Sequence, residues 1–466
     1  MKRAPVVLGV SLVIAGSLCA CTDETNFTAE ERDTLGTYKL LATPPANPSN
    51  RVADNPAAAA LGKKFFFDKR FSGALGPAND GSSGGSLGPS GATQKVACFD
   101  CHQLDNGGAD RRSRTPTSLG ANYGLRNAPT VINSAFWDVT AGGWQLWDGR
   151  KDSLWALALG PMEGPNEHNG TRLQYAHFIW DNPTYRAEYE AVFGVIKDAM
   201  GNPVDLNEKP DGTNLRFPAT GKPTPPGATP GPANLPFDMM AMGDKAIINR
   251  IYSNIGKALE AYERLLISPN FEPSPFDRML AGDDAAMSPA AIRGAKLFVG
   301  KAACNECHRG HLFTDFKFHN IGCPQQGSNV PALDVGRQNG IKLVKLDVMN
   351  RAGAYSDMQD DSHLANLVEQ ELDLGSFRTP TLRNIEKTGP YMHDGVYTNL
   401  WDVVSHYNFG GGTGSFSGAK EAAISPLLLS NDEMDDLVEF LKSLTDGAPR
   451  EMSAFPEGLL AAPTLP

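Results

Sequence analysis

Histidine is scarce in this chain, and strand-like patterning is scarcer. Nine histidines among 466 residues mean that any histidine-ligated chemistry must draw on a short roster. Alternation of apolar and polar residues at period two, the mark of a half-buried strand, hardly occurs, so the expected class is mostly α. Long apolar runs are also missing. Residues 6–18 form an apolar stretch that falls short of the roughly 20 residues a membrane-spanning helix needs. Basic residues are in deficit, 42 Lys and Arg against 53 Asp and Glu for a net charge of −11, which argues against nucleic acid as a partner.

Cysteine is spent in a way that leaves no disulfide framework. Four of the seven cysteines lie in two pentapeptides, Cys98-Phe99-Asp100-Cys101-His102 and Cys304-Asn305-Glu306-Cys307-His308. Each reads as a covalent c-type haem site. Two thiols add across the two vinyl groups of one porphyrin, and the imidazole that follows reaches the iron. The same residues could bind zinc or form two redox Cys-x-x-Cys pairs, but both copies carry the histidine directly after the second cysteine. Two of the remaining cysteines sit near the N-terminus and one, Cys323, is left as a buried or unpaired thiol.

Haem attachment in bacteria takes place outside the cytoplasm, and the N-terminus agrees. Lys2 and Arg3 precede the 6–18 run, so residues 1–20 read as a secretory signal. The run ends in Leu18-Cys19-Ala20-Cys21, which resembles a lipobox with Cys21 as the lipidated new N-terminus. Cys19 stands where that pattern prefers Ala or Ser, so simple cleavage to a soluble periplasmic protein stays open. Thr22, rather than Asp, after the anchor favours export to the outer membrane. Cleavage removes Lys2 and Arg3 and no acid, taking the net charge from −11 to −13. Such a surface suits docking to a basic electron donor and equally serves solubility.

One haem motif in each half suggests two domains. The expected division is a tether over 21–50, an N-terminal haem domain over 51–282, a C-terminal haem domain over 283–450 and a tail over 451–466. A short helix opens the first domain near Leu61. Ile247, Ile248, Ile251, Ile255, Ala258, Leu259 and Tyr262 recur at helical spacing and stop at Ser268-Pro269, predicting its closing helix. Ser288-Pro289 opens a helix leading to the second motif. Ser430 and Glu433 have capping-box form before an apolar face of Met434, Leu437, Val438, Leu441 and Leu444. The Gly/Ser-rich 73–91 stretch reads as a mobile loop and the Pro/Gly-rich 202–236 stretch as a long excursion.

Four further motifs carry a family resemblance. Arg126-Asn127-Ala128-Pro129-Thr130, Trp147-Asp148-Gly149-Arg150, Arg378-Thr379-Pro380-Thr381-Leu382-Arg383-Asn384 and Pro390-Tyr391-Met392-His393-Asp394-Gly395 together resemble the bacterial dihaem cytochrome c peroxidase and MauG family, over about 61–444. The resemblance implies two cytochrome c-like domains, with His102 and His308 as proximal iron ligands. In conventional members a Met ligand to the C-terminal haem lies fourteen residues beyond the His of His-Asp-Gly; here that position is Tyr407, as in MauG-like proteins. A phenolate lowers the potential relative to a thioether. His406 or a displaced Met stays open as the alternative ligand.

The resemblance also implies a distal side for the N-terminal haem. Conventional members carry a removable distal His in Ser-Ile-Gly-His; this chain has Ser118-Leu119-Gly120-Ala121, with no histidine nearby in sequence. That haem is then expected to be open to peroxide without prior reduction. Glu167 matches the family's distal glutamate, with Glu163 as its competitor, and Leu157 replaces a Gln found in many members. A carboxylate there moves a proton between the peroxide oxygens. Trp147 matches the family Trp between the haems, where it shortens electron tunnelling; plain core burial is the alternative. Asn127 with the carbonyls of Thr388 and Pro390 matches an interdomain calcium site. His393 is expected to be structural. The implied activity is reduction of hydrogen peroxide, with electrons from a small cytochrome c or copper protein, or from Trp or Tyr side chains of a partner protein. Members are often homodimers. A pure dihaem electron carrier is the different-class reading, distinguished by two strong axial ligands on each iron; a haem sensor lacks an output domain here.

Overall fold

The computed structural model describes residues 26–81, 84–113, 117–137, 143–412, 414–453 and 455–466. Cys19 and Cys21, and with them the signal and lipidation readings, lie outside the described residues.

Two helical cores account for most of the chain. The first gathers the helices Pro56–Phe67, Leu154–Glu163, Arg172–Asp181, Pro183–Phe193 and Met242–Glu263 around Phe65, Phe66, Trp155, Tyr175 and Tyr262. The second gathers Pro289–Val299, Leu400–Asn408 and Asn431–Lys442 around Phe298, Phe313 and Phe440. Among the described residues, named strands are limited to Phe318–His319 and Phe377–Arg378, paired antiparallel.

Local chemistry sets the helix starts. Asn55 caps the Pro56–Phe67 helix by accepting from Ala57 and Ala58 amides, and Ser288 caps Pro289–Val299 at Ala291. In each case proline occupies the first turn, where its missing N–H costs nothing. Ser430 and Glu433 form the expected capping box. The two halves then repeat one packing device. A Cβ on Gly62 would lie 1.9 Å from the Ala258 carbonyl oxygen, and one on Gly294 would lie 1.9 Å from that of Asp436. So in each half the helix preceding the haem motif crosses the closing helix at a glycine, backbone against backbone, which fixes where the motif emerges.

Three segments depart from expectation. Residues 26–50 of the expected tether are packed, not loose. Phe27, Leu35 and Tyr38 sit in the second core, with Tyr38 stacked on Phe313 at 4.5 Å, while Asn47 and Asn50 donate to the buried Glu260 of the first half at 2.7 and 3.1 Å. The 451–466 tail also docks: Phe455 and Leu459 join the first core, the Tyr262 hydroxyl donates to the Leu459 carbonyl at 2.8 Å, and Lys63 donates to Glu457 at 2.7 Å. The 73–91 loop is pinned by the buried Asn79, which donates to the carbonyls of Gly120 and Ala121. The division between cores also falls earlier than residue 282, because Phe276 and Met279 already belong to the second core.

Candidate haem sites at the seam of two helical cores

The second haem motif forms a tight turn over Cys304–Glu306, and the His308 amide donates to the Cys304 carbonyl at 2.9 Å. His308 then bonds through Nδ1 to the Phe313 carbonyl at 2.8 Å. This fixes the ring and leaves Nε2 as the nitrogen available to a metal. Thr381 holds the same loop by donating to the Leu312 carbonyl at 2.7 Å. The first motif is built the same way. The His102 amide donates to Cys98 at 2.9 Å, His102 Nδ1 meets the Gly108 carbonyl at 3.2 Å, and Thr130 donates to Gly107 at 2.6 Å. The Pro-Thr pairs, Pro129-Thr130 and Pro380-Thr381, therefore brace the loops that orient the two histidines. The carbonyls of Pro129 and Pro380 also face those imidazoles. Cys98, Cys101, Cys304 and Cys307 are all free thiols. Two thiols beside an oriented imidazole, twice over, fit covalent haem.

A large, mainly apolar cavity opens in front of His308, walled by Cys304, Cys307, Val404, Tyr407, Leu437 and Leu441. Burial pushes the Tyr407 phenol above its ordinary pKa, and the nearby thiols of Cys304 and Cys307 add to that. Its neighbour His406 is committed elsewhere: Nδ1 meets the Tyr397 hydroxyl at 2.9 Å and Nε2 the Ile321 carbonyl at 3.1 Å. His319 also borders the cavity, but both ring nitrogens meet carboxylates, Asp315 at 3.0 Å and Glu421 at 2.9 Å. Those contacts, the Asp315 bond first and the Cys307 sulfur next, raise its pKa to about 11. Met392 is the described methionine on the cavity wall.

Around the first motif the backbone brings the expected distal segments together. Ala121 N donates to the Glu167 carbonyl at 2.7 Å and Asn122 N to that of Asn166 at 2.9 Å. Gly120 permits this approach, since a Cβ there would lie 2.8 Å from both carbonyl oxygens. Burial raises the pKa of the Glu167 carboxyl, with Arg150 and Lys151 pulling it back. Its competitor Glu163 is not available: Arg172 grips it with Nε at 3.0 Å and Nη2 at 2.6 Å. His168, one of the histidines among which spacing alone does not choose, is buried, has no hydrogen-bond partner for Nδ1 among the described residues, and is held neutral by burial with a pKa lowered to about 4. Sequence reasoning passed over Glu263, buried within electrostatic reach of Cys98 and pushed up to about 8 by burial and Glu260. The one available signal was an acid at helical spacing from Glu260 on an otherwise apolar face.

The two sites meet at a polar seam. Trp147 lines the second cavity and donates its indole N–H to the Asn127 carbonyl at 2.8 Å. Asn127 N donates to the His393 carbonyl at 2.8 Å, and its side-chain amide meets the Pro390 carbonyl at 2.6 Å. Thr388 lies on the same wall. Arg126 bridges the halves by pairing with Asp148 at 2.6 Å and Asp334 at 2.7 Å. His393 stacks on Phe377 at 3.5 Å and meets Gln325 at 2.6 Å.

Comparison with known proteins identifies this arrangement. The di-haem cytochrome c peroxidase family model matches residues 56–209. Cytochrome-c peroxidase IdrP1 of Denitromonas iodatirespirans is 30% identical over 415 residues, 88% of each chain. Methylamine utilization protein MauG of Methylorubrum extorquens is 28% identical over 450 residues, 94% of each chain. The crystal structure of a MauG-like protein associated with microbial copper homeostasis superposes with a TM-score of 0.56 at 23% identity, covering 91% of this chain and 96% of that one, a likeness of fold. With near-complete coverage in sequence and fold, the chain belongs to the dihaem cytochrome c peroxidase and MauG family of oxidoreductases, whose cofactor is haem.

Proposed function

We propose that this protein is a periplasmic dihaem peroxidase that reduces hydrogen peroxide at its N-terminal site, with MauG-like features. The observation that carries this reading is Glu167, whose backbone carbonyl accepts from Ala121 and whose partly buried carboxyl lies within electrostatic reach of Cys101, while Glu163 is locked to Arg172. When bound, the haems would supply redox-active iron and the electrons that reduce peroxide. The protein's part is protonic and geometric. Glu167 accepts a proton from the inner oxygen and returns it to the outer one, so that two electrons and two protons turn hydrogen peroxide into two waters. Cys98, Cys101 and His102 would hold one haem; Cys304, Cys307, His308 and Tyr407 would hold the other. Trp147, on the wall of the second cavity and bonded to Asn127, lies on the electron path between them. Electrons come from a small cytochrome c or copper protein.

A second reading, oxidation of Trp or Tyr side chains in a partner protein, is favoured by Tyr407, because a phenolate at that position disfavours reduction of its iron. Asn127, Thr388 and Pro390 are proposed to hold calcium. The Pro390 carbonyl oxygen, which accepts from the Asn127 side-chain N–H at 2.6 Å, is a donor of the kind that ion prefers, and turning the Asn127 amide would present its oxygen beside it. Outer-membrane anchoring through Cys21 predicts that Cys21→Ala releases the protein from the membrane fraction; retention there would sink the anchor.

The test is the absorption spectrum of the fully oxidised holoprotein before and after one equivalent of hydrogen peroxide. We expect an immediate Soret shift, and a slower one after chelator treatment that added calcium restores. A response only after one haem is pre-reduced would mean a hidden distal ligand, and His168, next to Glu167 in the chain, is the first histidine to replace. Silence in both states would leave an electron carrier. A chelator-insensitive response would remove the calcium.

A further inference from the structure

Behind the wall of the second cavity lies a group of donors that peroxide reduction leaves unused. Cys323, His393 and Asp394 each present a ligand atom, and these atoms lie within 4.8 Å of one another. All three residues are buried, with exposures of 4%, 3% and 0%. The Cys323 thiol reaches Asp394 Oδ1 at 3.5 Å. The other carboxylate oxygen, Oδ2, has no hydrogen-bond partner among the described residues, and neither does Gln325 Oε1 beside His393. Leaving a carboxylate oxygen unpaired in the interior is costly, so this arrangement asks for a positive partner. Among the described residues, none supplies one.

We propose that Cys323, His393 and Asp394 form a binding site for a single zinc ion, with Gln325 positioned to offer its amide oxygen as the fourth ligand. Thiolate, imidazole and carboxylate together suit a borderline-soft tetrahedral cation and exclude calcium or magnesium, which take oxygen donors. Zinc bonds of roughly 2.0–2.3 Å place ligand atoms about 3–4 Å apart, a small contraction from the present spacing. Burial and the adjacent Asp394 hold the free thiol protonated, so the Cys323 proton leaves as the Zn–S bond forms. The site would tie the 320–326 segment to the His393 loop, whose backbone carbonyl accepts from Asn127 at the seam. Zinc here would brace one wall of the second cavity.

The experiment uses the full-length holoprotein, chelator-treated, incubated with zinc sulfate alone and desalted. We expect one zinc per chain by elemental analysis. Zinc-edge X-ray absorption should show one sulfur in the first shell at about 2.3 Å. Cys323→Ser and Asp394→Asn should lose the zinc while haem content stays the same. No retained zinc, a first shell without sulfur, or full zinc retention in Cys323→Ser would each overturn the proposal. The sulfur shell is read on the unaltered protein, so it decides the question even if a variant does not fold.

Discussion

Glu167→Gln is expected to slow the reaction of the oxidised holoprotein with hydrogen peroxide by about 10²–10⁴-fold, the usual contribution of a positioned acid–base group. The substitution keeps the shape of the side chain and the backbone pairing of Glu167 with Ala121, but it removes the group that carries the proton. The pH profile gives an independent check. The proton-accepting form is the carboxylate, present above its pKa, and burial raises that pKa over the ordinary value. The rate should therefore fall on acidification at a higher pH than for an exposed glutamate, and this limb should vanish in the Gln variant. Glu163→Gln is the control. It breaks the Arg172 pair, so it should cost stability and leave the peroxide rate near that of the unaltered protein. Stopped-flow traces at equal haem content read both; an unchanged rate in Glu167→Gln would rule out the proton role.

Much of this architecture was legible because it is local. A capping box is a four-residue event, and Ser430 with Glu433 forms one as read. The periodic run from Ile247 to Tyr262 is a helix because its apolar face is continuous, and the helix runs from Met242 to Glu263, ending short of the expected stop at Ser268-Pro269. The haem motifs are legible for the same reason: their chemistry fits within five residues. What was not legible depends on distant partners. The 26–50 segment reads as a tether because its few large apolar residues are widely spaced. Yet Phe27, Leu35 and Tyr38 each find a place in a core formed some 250 residues later. The tail is similar, its composition polar and its anchor only Phe455 and Leu459.

The site shows the same split. Sequence could offer Glu163 and Glu167 as rivals but not the Arg172 grip that separates them, since that arginine opens the next helix. It could propose His406 as a substitute for Tyr407, but not see that Tyr397 and Ile321 occupy both its nitrogens. It found no histidine near Ala121 in the chain, whereas the pairing of Ala121 with Glu167 brings His168 into the neighbourhood. The Pro-Thr pairs were quoted as family motifs, and only the fold shows their work: Thr130 and Thr381 brace the loops whose carbonyls orient His102 and His308.

Tyr407→Met should raise the reduction potential of the second haem by on the order of hundreds of millivolts, within the roughly 0.8 V that axial ligands command. His319 is held between two carboxylates, and His406 is held away by two hydrogen bonds. Tyr407 stands on the cavity wall together with His393, whose ring meets Gln325 at 2.6 Å and stacks on Phe377. Its phenol is pushed up by burial, so in the haem-free protein it keeps its proton. It gives the proton up only to a metal, and the phenolate so formed favours the more oxidised iron. A thioether carries no charge and removes that bias. Spectroelectrochemical titration of the holoprotein reads the potential directly, and the electron paramagnetic resonance spectrum of the oxidised form reports the ligand change. If neither moves, Tyr407 only packs, and Met392, the described methionine on that wall, becomes the ligand to replace next. If the potential rises, the variant should also pass electrons more readily from a small cytochrome and hold oxidising equivalents less long, which would separate the peroxidase reading from protein-side-chain oxidation in a single protein.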